Sequence, residues 1–361
     1  MIKSSVNEDI LSTLDKGDFI LGLKVNELEK KLANYAGVKQ CVSCASGTDA
    51  LLIPLMAKNI GAGDAVFTTN FSFFATAEVI SLAGATPFFV DIDKRTFNID
   101  PDLLEQQIIN VINKGKLIPK AIIAVDLFGQ LSDYKNIEKI AEKYNLFLIE
   151  DAAQSFGASY SSKKSGSFGD VAATSFFPAK PLGCYGDGGA IFTDDIKLAD
   201  ICRSIRVHGQ GKDKYDNVRF GLNSRLDTLQ AVVLLNKLKI FDDELVLRKK
   251  NADYYSDSLK NYLTTPYIED FNISSWAQYS LLTKSSKERD LLIKHLNSDN
   301  IPNAIYYKKI FSKLELYSNY NKDSFPISEN ISNNIFSIPM HPYLDNDDLN
   351  EVTSSIIRFY R

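Results

Sequence analysis

Lys180 and Asp151 are the two residues of this chain whose types and surroundings promise chemistry. Lys180 lies in TSFFPAKPLGCYGDGGA, after an apolar run and a proline and before a loop containing Gly183, Gly186, Gly188 and Gly189. That context holds an amine near the end of a buried strand, in a glycine-lined pocket. Upstream, a second apolar run, LFLIE, leads into Asp151. An amine and a carboxylate buried on neighbouring strands are what pyridoxal phosphate (PLP) chemistry requires. The amine forms a Schiff base with the cofactor, and the acid keeps the pyridine nitrogen protonated so that the ring accepts electrons. A structural Lys–Asp pair fits the same two residues, because buried ion pairs also arise without catalysis.

Other residues gather around this pair in the reading. Ser46-Gly47-Thr48-Asp49 follows one apolar strand and opens a helix, Ala50–Lys58. Free amides at a helix start, with small residues and a hydroxyl, make an anion site suited to phosphate. A plain N-cap by Ser46 or Thr48 would give the same pattern. Ser175, five residues before Lys180, offers a second phosphate contact. Phe73, in NFSFFATAEVI, can stack on a flat ring or simply fill core. Gln154, in IEDAAQSFGA, can reach a cofactor oxygen or cap local structure. Asn223 and Arg225, in RFGLNSRLDTLQA, precede a long helical pattern and look like a helix start.

The elements that must position these residues alternate along the first two-thirds of the chain. Expected strands are Gln40–Cys44, Ala65–Thr69, Thr86–Asp91, Ala121–Asp126, Leu146–Glu150, Val171–Phe176 and Ala190–Thr193. Between them lie amphipathic helices such as Val25–Tyr35, closed by Gly37, Pro101–Ile112, begun by proline, and Tyr134–Tyr144. Alternation of this kind predicts an α/β fold with a mostly parallel, doubly wound sheet. Such sheets bind ligands at the carboxyl ends of their strands, where the motif residues fall. A single long helix, about Asp227 to Leu247, is expected to bridge to a smaller α+β domain. There WAQYSLLT and NAIYYK read as strands, and Lys287–Asn297 and Asp345–Tyr360 as helices. Tyr317–Asn334 reads as partly loop. The expected domains are 1–240 and 241–361.

Bulk composition narrows the function. The 361 residues are 45% apolar and 24% charged, with a net charge of −4, ordinary values for a soluble globular protein. No electrostatic case exists for nucleic acid or an anionic membrane, and no apolar run is long enough to span a bilayer. The polar start, MIKSSVNEDILSTLDK, has no signal-peptide core, so a cytoplasmic protein is expected. Cys41 and Cys44 form a CxxC inside an expected strand, where alternation points the thiols to different faces. They read as structural. With His208, His295 and His341 dispersed in sequence, no metal site is expected.

Taken in order, the segments GDFILG, SGTDAL, PFFVDID, FGQ, EDAAQSFGA, TSFFPAKPLG, GDGGA, RVHG, GLNSRLDTLQA and SIPMHPYL resemble the DegT/DnrJ/EryC1/StrS group of nucleotide-sugar aminotransferases. The resemblance runs from about Gly17 to the C-terminus. It implies the PLP-dependent fold type I, with the cofactor in the large domain. It implies that Lys180 carries PLP, that Asp151 pairs with the ring nitrogen, and that Gln154 touches the ring hydroxyl. Gly47, Thr48 and Ser175 would bind phosphate, and Phe73 would stack. Asn223 would reach the phosphate of a neighbouring subunit, with Arg225 near its substrate, in a homodimer with shared active sites. Gly22, Tyr185, Tyr306 and Tyr307 are the other substrate contacts implied.

The subgroup it most resembles aminates C3 of UDP-linked 2-acetamido-3-keto-hexuronates, taking the amino group from L-glutamate, for surface polysaccharide, including lipopolysaccharide, or glycan biosynthesis. The alternative is a C3 or C4 aminotransferase acting on a dTDP- or UDP-linked keto-6-deoxyhexose. Three departures from the family pattern stand out. The family's usual start is longer, which puts contacts of an N-terminal arm in doubt. Asp126 stands where many relatives carry histidine or serine, and its role is open. Tyr306-Tyr307-Lys308 replaces a common His-Tyr-Pro. PLP-dependent sugar dehydratases of this branch carry histidine in place of the lysine, which Lys180 argues against. An NAD-dependent oxidoreductase would need a GxGxxG that SGTDA does not supply.

Overall fold

The computed structural model describes residues 2–213, 215–317 and 323–361. Its first elements are α1 (Lys3–Lys16), α2 (Leu23–Ala36), β1 (Gln40–Cys44), α3 (Gly47–Ala57), β2 (Asp64–Thr69), α4 (Ala75–Leu82), β3 (Thr86–Val90), α5 (Pro101–Lys114), β4 (Ile118–Val125), α6 (Tyr134–Tyr144) and β5 (Phe147–Asp151). There follow β6 (Ser159–Tyr160), β7 (Lys163–Lys164), β8 (Val171–Ser175), β9 (Gly189–Thr193), α7 (Ile196–Ile205), α8 (Thr228–Leu238) and α9 (Phe241–Leu259). The chain closes with β10 (Asn272–Ile273), β11 (Tyr279–Leu282), α10 (Ser286–Ser298), α11 (Pro326–Asn334), β12 (Ile335–Ile338) and α12 (Asn346–Tyr360).

Helix ends follow their local chemistry. Asp100 accepts from the amides of Asp102 and Leu103, with Pro101 at the first position of α5. Gly37 ends α2 at φ 79°, a left-handed conformation that suits glycine.

A seven-stranded sheet, in the order β1-β9-β8-β5-β4-β2-β3, forms the frame. The pairs β2–β3, β2–β4, β4–β5 and β5–β8 are parallel, and β9 runs antiparallel to both its neighbours. The sheet is mostly parallel, as expected. Successive residues point to opposite faces, so Val66, Ile123 and Ile149 join one core cluster while Phe67, Ile122 and Leu148 join another. Burial on both faces explains why these strands read as continuous apolar runs. Cys41 and Cys44 also fall into different clusters, on opposite faces of β1, and both are free and buried.

Three elements depart from the sequence reading. The expected helix from Asp227 to Leu247 is two helices, α8 and α9, broken at Lys239–Ile240. Neither glycine nor proline marks the break. Phe241 is fully buried there, its ring stacked 6.0 Å from that of Phe156, and that packing turns the chain. NAIYYK is not a strand. It makes one bridge, Ala304 to Ser337, and then enters a turn. The partner of β11 is instead β12, formed by IFSI. Of the segment read as partly loop, 326–334 is the helix α11, begun by Pro326, while 318–322 lie outside the described residues.

The C-terminal third packs α9, α10 and α12 on the β11–β12 pair around Tyr255, Tyr279, Leu296 and Phe336. Among the described residues, no helix is long and apolar enough to cross a membrane.

Candidate active site

The register of the sheet sets the floor of the site. Val125 pairs with Asp151, and Asp151 with Ala173, so the carboxyl ends of β4, β5 and β8 finish side by side. Across the sheet, Gly189 pairs with both Cys44 and Ser175. Over these ends lies a cavity of about 910 Å³, lined by Gly47, Thr48, Phe73, Asp151, Gln154, Ser175, Lys180, Tyr306 and Tyr307 among others. Nine of the thirteen residues singled out from the sequence therefore share one space.

Asp151 is buried at the end of β5. Its carboxylate accepts from Thr76 Oγ1 at 2.8 Å and from the Ala153 amide at 3.3 Å. Burial pushes its pKa up, and those two donors and the charge of Lys180 work against the rise. Lys180 follows β8 in a tight turn closed by its own amide, which donates to Phe177 O at 2.8 Å. Burial pushes the pKa of this amine down, and the charge of Asp151 opposes the fall. The site thus favours the neutral amine that a nucleophile or base requires.

Across the cavity, α3 opens with Ser46 as N-cap, its hydroxyl accepting from the Asp49 amide at 3.1 Å. The capping reading of Ser46 is thus correct, while Gly47 and Thr48 in the first turn still face the cavity. A Cβ on Gly47 would fall 2.6 Å from Ser175 Cβ, so only glycine lets the helix start close on this strand end. Phe73 is not core. It is 54% exposed, with its ring 6.3 Å from that of Tyr307. Gln154 is buried, accepts from the Phe128 amide at 2.8 Å and donates to Tyr307 Oη at 3.2 Å.

These groups fit PLP. A helix N-terminus with two hydroxyls and a glycine gap makes a phosphate cradle, an exposed aromatic face borders the cavity, and a buried carboxylate and an amine face each other's charge.

Four of the expected residues do not line this cavity. Gly22 caps α2, and its amide donates to Thr228 Oγ1 at 3.3 Å. Tyr185 is exposed, and its amide donates to Gln230 Oε1 at 2.8 Å. Asn223 is exposed and Arg225 half-buried on the loop before α8. The sequence reading passed over Thr76 and Lys309. Thr76 lies three residues after Phe73, a helical spacing that brings it to the same side. Lys309 lines the cavity mouth and is exposed, and nothing in its local pattern marks it.

The model of the DegT/DnrJ/EryC1/StrS aminotransferase family matches residues 1–357. The chain belongs to that family. It is similar to a UDP-2-acetamido-2-deoxy-3-oxo-D-glucuronate aminotransferase of Pseudomonas aeruginosa, with 47% identity covering 98% of this chain and 96% of the relative. A DegT DnrJ EryC1 StrS aminotransferase from Brucella abortus, known from its crystal structure, superposes with a TM-score of 0.97 at 48% identity, covering 99% of this chain and 96% of that one. The structure of NtdA from Bacillus subtilis with bound cofactor PMP, the amine form of PLP, matches with a TM-score of 0.88 at 30% identity, covering 98% and 82%. The protein is a PLP-dependent aminotransferase, and its α/β fold is that of these enzymes.

Proposed function

We propose that this aminotransferase converts a UDP-linked 2-acetamido-3-keto-hexuronate to the 3-amino sugar, with L-glutamate as amino donor. One observation carries the reaction class: an amine lowered in pKa and a buried carboxylate open onto one cavity that also holds a phosphate cradle. The substrate is supported by the 47% identity, over nearly the whole chain, to the Pseudomonas aeruginosa enzyme named for that keto sugar. The product would enter surface polysaccharide or glycan biosynthesis, in the cytoplasm where nucleotide sugars are made.

Bound in this cavity, PLP supplies an electron sink for the carbanion left when the amino-bearing carbon loses its proton. The rest falls to the chain. Lys180 Nζ, its pKa lowered by burial, would take the proton from that carbon and return it on the other side of the transfer. Asp151, held in place by Thr76 and the Ala153 amide, would pair as a carboxylate with a protonated ring nitrogen. The amides and hydroxyls at Gly47, Thr48 and Ser175 would hold the phosphate, and Gln154 would bind the ring hydroxyl. Phe73 would shield the ring from water, and Tyr306 and Tyr307 would contact the sugar.

The same reading makes 1–240 the cofactor-binding domain and 241–361 the smaller one, supported by the break between α8 and α9 and by the separate C-terminal core. It makes the enzyme a homodimer in which Asn223 and Arg225 complete the partner's site. Support comes from their lying off the cavity of their own chain.

Incubating the pyridoxamine form with candidate keto sugars tests the substrate. The UDP-linked 3-keto-hexuronate should restore the PLP spectrum and yield a 3-amino sugar. Restoration by a dTDP-linked keto-6-deoxyhexose alone would overturn the assignment.

A further inference from the structure

Directly beneath the cavity, two carboxyl groups are sealed from water. Asp126 and Glu150 are each 0% exposed, as are Ser155, Ser165 and Tyr134 around them. A chain of oxygens joins the two acids. Asp126 Oδ2 lies 2.8 Å from Ser155 Oγ, Ser155 Oγ lies 2.7 Å from Ser165 Oγ, and Ser165 Oγ lies 2.9 Å from Glu150 Oε1. Each of these three contacts needs a hydrogen. The two serine hydroxyls supply one each, and ionised carboxylates are acceptors only. The third hydrogen must come from one of the acids. Without it, two oxygens would face each other lone pair to lone pair in a site with no water to separate them.

The remaining donors show which acid carries it. Glu150 accepts the Gly166 amide on Oε1 at 2.8 Å and the Phe168 amide on Oε2 at 2.9 Å, so both its oxygens are committed to N–H groups. Asp126 accepts the Ser132 amide at 2.9 Å and the Tyr134 hydroxyl at 3.0 Å, both on Oδ1. That leaves Oδ2 free to bear the proton and donate it toward Ser155.

We propose that Asp126 and Glu150 hold one proton between them, carried on Asp126, and that Asp126 is a positioning residue for Gln154 at the cofactor cavity. The route from Asp126 to Gln154 is short on both sides. Through Oδ2 it holds Ser155, the next residue after Gln154. Through Oδ1 it closes the turn 126–132, whose Phe128 amide donates to Gln154 Oε1 at 2.8 Å. Gln154 Nε2 then meets Tyr307 Oη in the cavity. The titratable groups facing Asp126 are Glu150 from β5 and Tyr134 from α6. Burial, and then the charge of Glu150, push Asp126 up. Burial pushes Glu150 up to about 7, and its hydrogen bonds, led by the Gly166 and Phe168 amides, oppose that rise. The inference does not depend on which sugar is aminated.

Infrared spectroscopy of the holoenzyme, with carbon-13 in the aspartate carboxyls, reads the proton directly. We expect a carboxylic acid carbonyl band at neutral pH that shifts with the label and is lost in Asp126→Asn. Absence of that band in the unsubstituted enzyme would overturn the shared proton. PLP titrations read the positioning. Asn presents an oxygen to Ser132 and Tyr134 and an N–H to Ser155, as the protonated acid does. Asp126→Ala should weaken PLP binding about tenfold and Asp126→Asn restore it. An Asn variant as weak as Ala, or an Ala variant binding normally, would refute the positioning role. If the Ala variant does not fold, the Asn variant still decides. Its PLP affinity should be flat through alkaline pH where that of the unsubstituted enzyme falls, and an equal fall in both sinks the proposal.

Discussion

Ser224 donates its hydroxyl to Asp49 Oδ2 at 2.6 Å, across a sequence separation of 175 residues. Ser224 Oγ also accepts the Ala45 amide at 3.3 Å. The Ser224 amide in turn donates to Arg206 O at 2.9 Å, and Arg206 is locked to Glu29 at 2.6 Å in a buried ion pair. The loop bearing Asn223 and Arg225 is thus fastened to the first turn of α3, the helix proposed to cradle phosphate. Ser224→Ala should leave the Asp49 carboxylate one donor short and loosen the cradle. A loss of about 1 kcal/mol is expected, roughly fivefold in PLP affinity. Absorbance titration of PLP into the variant checks it, with unchanged affinity counting against the coupling.

Lys180 is expected to be the residue that binds PLP covalently. Borohydride reduction followed by peptide mapping should find the label on Lys180. Lys180→Ala should bind PLP without turning over, because the variant lacks the base that moves the proton.

Asp151→Asn should fold normally and retain Thr76 as a donor to its oxygen. Its turnover should fall by about two to four orders of magnitude, because a neutral amide cannot hold the ring nitrogen protonated. Stopped-flow measurement of the glutamate half-reaction separates this loss from any change in cofactor affinity. Near-normal rates would remove Asp151 from its role.

Shared active sites predict complementation between subunits. A Lys180→Ala chain and an Arg225→Ala chain, each weak alone, should regain activity when mixed, because one site of the mixed dimer keeps both residues. Exchange verified by mass spectrometry with no return of activity would show that Arg225 serves its own chain's site or none.

Acid–base linkage gives a pH profile of stability. Burial pushes the folded Glu150 carboxyl up to about 7, above its ordinary value of 4.5. The folded state therefore binds more protons than the unfolded state between these values. Stability from this group is full below the unfolded value and is lost as pH rises through the folded one. Urea midpoints should fall between about pH 5 and about pH 8. The fall should be smaller in Glu150→Gln, which has no carboxyl to titrate in this range. An equal fall in the two proteins would contradict the assignment to Glu150.

How much of this was legible before folding divides along a physical line. Periodicity and punctuation are local, so the alternating strands and helices, the Pro101 start and Gly37 stop, and the strand ends bearing Asp151 and Ser175 could all be read from residues a few positions apart. The ordered motifs around Lys180, Asp151 and Gly47 likewise marked the family and the cofactor. Long-range packing was not legible. The burial of Phe241 on Phe156 breaks a helix where no breaker residue stands, and β12 displaces NAIYYK as the partner of β11. The bond from Thr76 to Asp151, the fastening of Ser224 to Asp49, and the proton held between Asp126 and Glu150 all join residues distant in sequence. A serine that caps, a serine that relays a proton and a serine in solvent look alike as letters. Only the tertiary structure sets their partners, because hydrogen bonding depends on distances of a few tenths of an ångström that local pattern does not encode.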